Sequence, residues 1–189
     1  MPVIQVSLIE GYDDATKTRL CQRLSAAART VIAAKPEATT VMVQDIPGAG
    51  YLRGTGPATP APAALDPERV ARQFLTALEA RDLPAASAHL APEAQMVFPG
   101  GATFTQLTAL VDWARPRYRF VRKRIDHMDT TSGERGPIVY CFGTLFGEWP
   151  DGAPFDGIRF IDRFEIIDGL IHRQDVWNDM GEAQRPTGS

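Results

Sequence analysis

Four prolines fall within eleven positions, at Pro57, Pro60, Pro62 and Pro67, with small residues between them. Each fixes φ and lacks a backbone N–H, so neither a helix nor a central strand can run through the stretch. Gly54 to Pro67 reads as a semi-rigid extended linker. It divides the 189 residues into a leading module (1–55), a linker (56–66), a main module (67–182) and a tail (183–189). Residues 1–56 carry six Lys/Arg and five Asp/Glu, net +1, against −3 for the whole chain, so the remainder is net −4.

The leading module has a β-α-β pattern. Ile4, Val6 and Leu8 alternate along Val3 to Ile9. Asp13 or Asp14 is a good N-cap, and Leu20, Leu24, Ala27/Ala28 and Val31 recur at helical spacing as far as Ala34. Pro36 ends that helix, and Thr39 to Ile46 is β-branched and strand-like. Two strands joined by a helix are expected to lie parallel. So small a unit has little surface to bury alone, and it is expected to oligomerise or to pack on the second module.

The main module opens with Asp66 as cap and Pro67 at N1, followed by the apolar stripe Val70, Phe74, Ala77, Leu78. A short helix near Ala85–Leu90 and another from about Thr105 to Ala114 follow. After Pro116 the pattern turns to strands: Tyr118–Met128, Ile138–Trp149, Phe155–Ile167 and Leu170–Asn178. Helices first and an antiparallel meander after them predict an α+β cone, with helices on one face of a curved sheet. Such a cone can enclose an apolar pocket.

Composition narrows the function. No apolar run approaches the roughly 20 residues that cross a bilayer, and the start Met1-Pro2-Val3 lacks a secretory pattern. Cys21 and Cys141 make no disulfide framework, so a reducing, cytoplasmic setting is expected. Basic residues form no long run, which argues against nucleic acid and anionic membrane as partners. A small-molecule substrate remains. Neither a Gly-rich phosphate loop nor metal-ligand spacing is present, so neither cofactor nor metal is expected.

Two constellations carry chemistry. If Met1 is removed, Pro2 presents a secondary amine at the start of a strand, and an apolar site disfavours its ammonium form. In Arg159 to Ile167, Asp162 stands in an otherwise apolar alternate row with Phe160, Phe164 and Ile166. A buried carboxyl is tolerated when paired, hydrogen-bonded or neutral, which makes Asp162 either a functional group or a structural one. A three-residue turn with Gly169 as bulge residue opposes Asp162 to Gln174 and Phe164 to His172. It also sets Arg163 and Glu165 diagonal to Asp175 and Arg173, and a two-residue turn would instead oppose Asp162 to Asp175. The first register puts His172 and Gln174 on the Asp162 face, as base, acid and oxyanion donor for enolisation or an aldol-type closure. Tyr118 and Tyr140 are expected in the pocket wall.

The segment Pro2-Val-Ile-Gln-Val-Ser-Leu-Ile-Glu-Gly11, the Asp-rich helix start, Val41-Met-Val-Gln-Asp-Ile-Pro47 and Tyr51 to Gly54 together resemble the 4-oxalocrotonate tautomerase family. The resemblance implies obligatory oligomers and an N-terminal proline that moves protons between carbon and oxygen. It also marks Tyr12, Thr40 and Tyr51 as substrate contacts. Two arginines that bind carboxylates in that family fall on Tyr12 and Thr40, and Arg53 is the nearby substitute. Arg69 to Asp179 resembles the SnoaL-like branch of the nuclear-transport-factor-2-like superfamily. That likeness rests on Phe74-Leu-x-Ala-Leu-x-Ala-Arg-Asp82, Phe98-Pro-Gly-Gly101, Gly143-Thr-Leu145 and Phe160-Ile-Asp-Arg-Phe-Glu-Ile-x-Asp-Gly-Leu-Ile171. It implies a pocket acid at Asp162, in a superfamily that hosts cyclases, isomerases, hydrolases and non-catalytic binders.

The expectation is a tautomerase with Pro2 as base, fused to a small-molecule-binding domain in which Asp162 and His172 serve a step of their own. Two rivals stay open: chemistry confined to the second domain, and a non-catalytic binding or assembly protein.

Overall fold

A computed structural model describes residues 1–184, so the expected tail lies outside the described residues from 185 onward. The chain divides into two compact units, Met1–Ala63 and Ala64–Ser189.

In the first unit, β1 (Val3–Ile9) and β2 (Thr40–Ile46) pair in parallel from Val3↔Thr40 to Ile9↔Ile46. Helix α1 (Asp14–Arg29) connects them. Asp13 caps it by accepting from the Thr16 amide at 2.8 Å, and that bond holds the Asp13 carboxyl below its ordinary range. The helix stops at Arg29, five residues short of the expected Ala34, where Thr30 accepts the C-cap role. Ile4, Val6, Leu8, Val41 and Val43 are half-buried on the helix side of the sheet, where Lys17 of α1 pairs with Asp45. The opposite side carries Val3 and Met42, 59% and 43% exposed. No side chain of this unit is fully buried. A small hairpin, β3 (Leu52–Arg53) with β4 (Gly56–Pro57), follows.

The second unit begins with α2 (Pro67–Glu79), capped by Asp66 as expected, and α3 (Leu83–Ser87). Then come β5 (Leu90–Phe98), β6 (Ala102–Phe104) and α4 (Leu107–Ala114). Four long strands complete it: β7 (Phe120–Ser132), β8 (Pro137–Glu148), β9 (Pro154–Ile167) and β10 (Leu170–Asn178), before the short α5 (Met180–Ala183). The sheet order is β6-β5-β10-β9-β8-β7. The expected meander is therefore extended by two strands, and β5 runs parallel to β10. Strand β5 escapes an alternation test because Pro92 and Glu93 sit where its register against β10 slips, leaving Ala91, Ala94 and Met96 as its buried residues.

One face of the sheet is the core. Val139, Cys141 and Leu145 of β8 and Phe160, Phe164 and Ile166 of β9 pack against Val70, Ala71, Phe74 and Leu75 of α2. Among the described residues no helix is long and apolar enough to cross a membrane.

Candidate functional site

In the first unit, Pro2 is half-buried just before β1, and its carbonyl accepts from the Thr40 amide at 3.1 Å. Pro2 and Thr40 thus share the N-terminal end of the two-stranded sheet. Parallel strands share their other end as well. There Glu10 accepts from the Gly48 amide at 2.8 Å, Gly11 takes φ +127°, and Tyr51 donates its amide to the Gly48 carbonyl at 3.2 Å. Tyr12 follows Gly11 at that same end. Seven residues of strand at about 3.3 Å each put roughly 20 Å between Pro2 and Tyr12. Arg53 is exposed in the β3–β4 hairpin. One copy of the unit brings Thr40 to Pro2, but not Tyr12 or Tyr51.

In the second unit, Asp162 lies on the inner face of β9 with 0% exposure. Its Oδ2 accepts from Lys123 Nζ at 2.6 Å and from Gln174 Nε2 at 3.4 Å. Lys123 stands on β7 and is paired with Leu145 of β8, so its side chain crosses a whole strand to reach β9. The crossing passes Gly143, which pairs with both Ile125 and Phe160 and adds no side chain. A Cβ there would meet the Arg124 carbonyl and stand 3.0 Å from the Phe160 ring. The Lys123 ammonium lies 3.8 Å above that ring, a cation–π contact beside the ion pair. Cys141 is the direct cross-strand partner of Asp162. Burial, and next the Asp162 charge, push its thiol up to about 12. Among the described residues, two buried side-chain atoms lack a partner: Asp162 Oδ1 and Gln174 Oε1.

The β9–β10 register differs from the expected one. The turn is the two-residue Asp168–Gly169, with φ +50° and +79°, closing Ile167 onto Leu170. The extra residue sits in β10 instead, where His172 falls between Ile171↔Ile166 and Arg173↔Glu165. Gln174 therefore faces Phe164, Val176 faces Asp162, and Gln174 reaches the carboxylate diagonally. The charged partners oppose directly: Arg163 lies across from Asp175 and binds it at 3.1 Å. His172 is half-buried in the bulge and is not a hydrogen-bond partner of Asp162.

Tyr118 packs on the core, and burial raises its phenol pKa against the opposing charges of Arg81 and Arg117. Tyr140 lies on the outer face opposite Arg163, with Phe142 and His127 stacked beside it, away from Asp162. Lys123 is the residue that sequence reading missed. Its signal was a row, Val121-x-Lys123-x-Ile125, of the same kind that singled out Asp162. Among the described residues no group of three or more His, Cys, Asp or Glu is placed to hold a metal ion.

The family model described as Tautomerase enzyme matches residues 2–59, and the one described as SnoaL-like domain matches residues 71–174. No curated protein matches the chain. Among solved structures, an NTF2-like protein of unknown function from Burkholderia pseudomallei K96243 is 20% identical. It aligns over 62% of this chain and 93% of its own, with a TM-score of 0.55. TerC co-crystallized with polyporic acid is 15% identical over 62% of this chain and 94% of its own, TM-score 0.52. An NTF2-like protein from Burkholderia thailandensis E264 is 17% identical over 64% and 98%, TM-score 0.51. At these identities the likeness establishes the α+β fold of the second unit.

Proposed function

The chain belongs to the SnoaL-like domain family and carries a tautomerase module ahead of it, and on that premise we propose that it is an isomerase acting on a small enolisable carbonyl compound. Pro2, freed by removal of Met1, is the general base. Its neutral imino nitrogen takes a proton from the enol oxygen or the α-carbon, and its protonated form returns one to the other atom. Thr40, Tyr12, Tyr51 and Arg53 are the substrate contacts. The observation that supports this reading best is that the tautomerase match starts at residue 2, where the Thr40 bond tethers Pro2 to the sheet end. Because Pro2 and Tyr12 stand at opposite ends of one sheet, a complete site of this kind needs a second copy of the unit. A homo-oligomer acting in the cytoplasm is the matching assembly, with neither nucleic acid nor membrane as partner.

A second reading is favoured by the buried carboxylate of the other unit. Asp162 serves an isomerase, cyclase or hydratase step there, with Tyr118 and Gln174 as ligand contacts; Tyr140 stands on the outer face, and His172 is not hydrogen-bonded to Asp162. Pro2→Ala and Asp162→Asn separate the readings. Loss of enol–keto turnover with the first variant alone supports the proline base. Loss with the second alone assigns the chemistry to the SnoaL-like unit. If neither variant changes turnover over a panel of enols, the chain is a binding or assembly protein. Intact mass comes first, because a retained Met1 makes the proline nitrogen an amide and removes its basicity.

A further inference from the structure

Arginines occupy alternate positions just after α4, at Arg115, Arg117 and Arg119. The outer two have carboxylates: Arg115 Nη2 lies 3.1 Å from Asp112, and Arg119 Nη1 lies 3.7 Å from Glu148. Arg117 forms no ion pair among the described residues, and its guanidinium lies 3.9 Å over the Trp113 ring. A ring attracts the charge but offers no lone pair, so the five N–H donors of Arg117 lack a protein acceptor. Trp113 is held in turn by Phe98 and Phe104, at ring-centroid distances of 5.5 and 5.4 Å, which makes it a fixed shelf for the cation. Arg81 is the second cation of this corner. It joins α2 to α3, and α3 packs against both α2 and α4. Its φ is +61°, with its own amide donating to the Leu78 carbonyl and the next amide, of Asp82, donating to Ala77. That is the left-handed closing position of a helix, which glycine takes without cost and a long side chain does not. The turn itself therefore gives no reason for an arginine, and its presence asks for another one. Arg81 also forms no ion pair among the described residues. The carboxylates nearest in sequence are engaged: Glu79 accepts from the Lys123 amide at 2.9 Å, and Asp82 from the Ala85 amide at 3.0 Å. Tyr118 completes the group. It packs on the core, the charges of Arg81 and Arg117 both reach its hydroxyl, and that hydroxyl has no hydrogen-bond partner among the described residues.

We infer that Arg81, Arg117 and Tyr118 form a binding site for a doubly charged oxyanion group, a phosphate monoester or a dicarboxylate, at the corner where the α2–α3 joint meets the end of α4. The ligand chemistry follows from the donors. Each guanidinium offers a planar fork that matches two oxygens, and two forks balance two negative charges. The phenol O–H serves a further lone pair. The inference needs neither the proline base nor Asp162.

The test is titration calorimetry of the full chain at pH 8 and low salt with three probes: phenyl phosphate, phthalate and benzamide. The first two carry two negative charges and the third carries none. The expected result is a Kd of about 1 mM or below for the dianions and no heat with benzamide. Binding of both dianions supports recognition of the charge, and binding of one alone supports the site and names its source. Arg117→Gln should weaken binding about tenfold or more, and Arg117→Lys, which keeps the charge but loses the fork, should recover only part of it. Both arginines are exposed, so these variants remove no core packing. Arg81→Gly should weaken binding to a similar degree while raising the melting temperature, since glycine relaxes the left-handed position. A purely structural arginine would not separate the two readouts in that way. No heat with either dianion, equal binding of benzamide, or dianion binding unchanged in the Arg81→Gly and Arg117→Gln chains overturns the inference.

Discussion

Cys141 and Asp162 stand directly opposite each other across β8 and β9, both closed off from solvent. The thiol is pushed up to about 12 by burial and by the neighbouring carboxylate, so it stays protonated throughout the range in which thiols ordinarily react. Cys21, half-buried on α1, has no such enclosure. Iodoacetamide at pH 8 is expected to label Cys21 in the folded chain and Cys141 only after denaturation, read by peptide mass. Linkage sets the sign of a second effect. An acid whose folded pKa lies above its unfolded value of 9.0 contributes stability below 9.0, and that contribution fades as pH climbs toward about 12. The urea midpoint of the second unit should therefore fall between pH 9 and 12, and less steeply in Cys141→Ala.

Phe74 of α2 and Phe164 of β9 meet edge to face, with ring centroids 6.1 Å apart and planes at 77°. Both are fully buried in the cluster that joins helix to sheet. Phe164→Ala is expected to cost about 3–5 kcal/mol, through lost transfer energy and the cavity left behind. A double-mutant cycle with Phe74→Ala should return a coupling of roughly 0.5–1.5 kcal/mol from the ring pair. Urea titrations of the four proteins measure both, and simple additivity would show that the two rings do not act together.

Legibility in the sequence followed the physics of each element. The start of α2 was plain because Asp66 and Pro67 meet an apolar stripe that begins at Val70. Strands β8 and β9 were plain because each alternates over ten or more residues, whereas a bulge breaks the alternation of β7 and β10. Strand β5 was hidden by Pro92 and by small buried residues, Ala91 and Ala94, that carry little apolar contrast. Asp162 showed because one acid interrupts an apolar row. Lys123 interrupts a similar row, but it lies between Arg122 and Arg124, and three successive cations read as a solvated face. The bulge at His172 leaves no local mark, since it depends on pairing with both β9 and β5. The position of Gln174 on the Asp162 face was read through a register that the bulge replaces.

Gly169 closes the β9–β10 turn at φ +79°, beside Asp168 at φ +50°. A Cβ at Gly169 would also fall 2.7 Å from Leu65 Cδ1. Gly169→Ala meets both penalties and should cost about 1–2 kcal/mol, since left-handed backbone disfavours a side chain. Asp168→Gly should be neutral or slightly stabilising, because aspartate is already held in a conformation that glycine adopts freely. Thermal unfolding of the two variants against the parent decides it. Equal loss in both would mean that the aspartate side chain, rather than backbone conformation, secures the turn.

The open side of the β1–β2 sheet carries Val3 beside Thr40 and Met42 beside Gln5, with the Ile9–Ile46 pair at its far end. Val3 and Met42 are 59% and 43% exposed, and no side chain of this unit is fully buried. A fold of this size gains too little from half-buried residues to stand alone, so this side needs a cover. If Pro2 and Tyr12 share one site, as proposed, their separation asks for the same cover, with the two sheet ends supplied by different copies. Met42→Glu puts a charge on that side without touching the helix side, where Val41 and Val43 pack. The expected outcome is a fall in mass by light scattering from an oligomer toward the 20.7 kDa chain, together with loss of enol–keto turnover at the proline. Turnover should return partly as protein concentration rises, since mass action restores weak assemblies. A Met42→Glu chain that stays assembled and active would show that the subunits meet elsewhere.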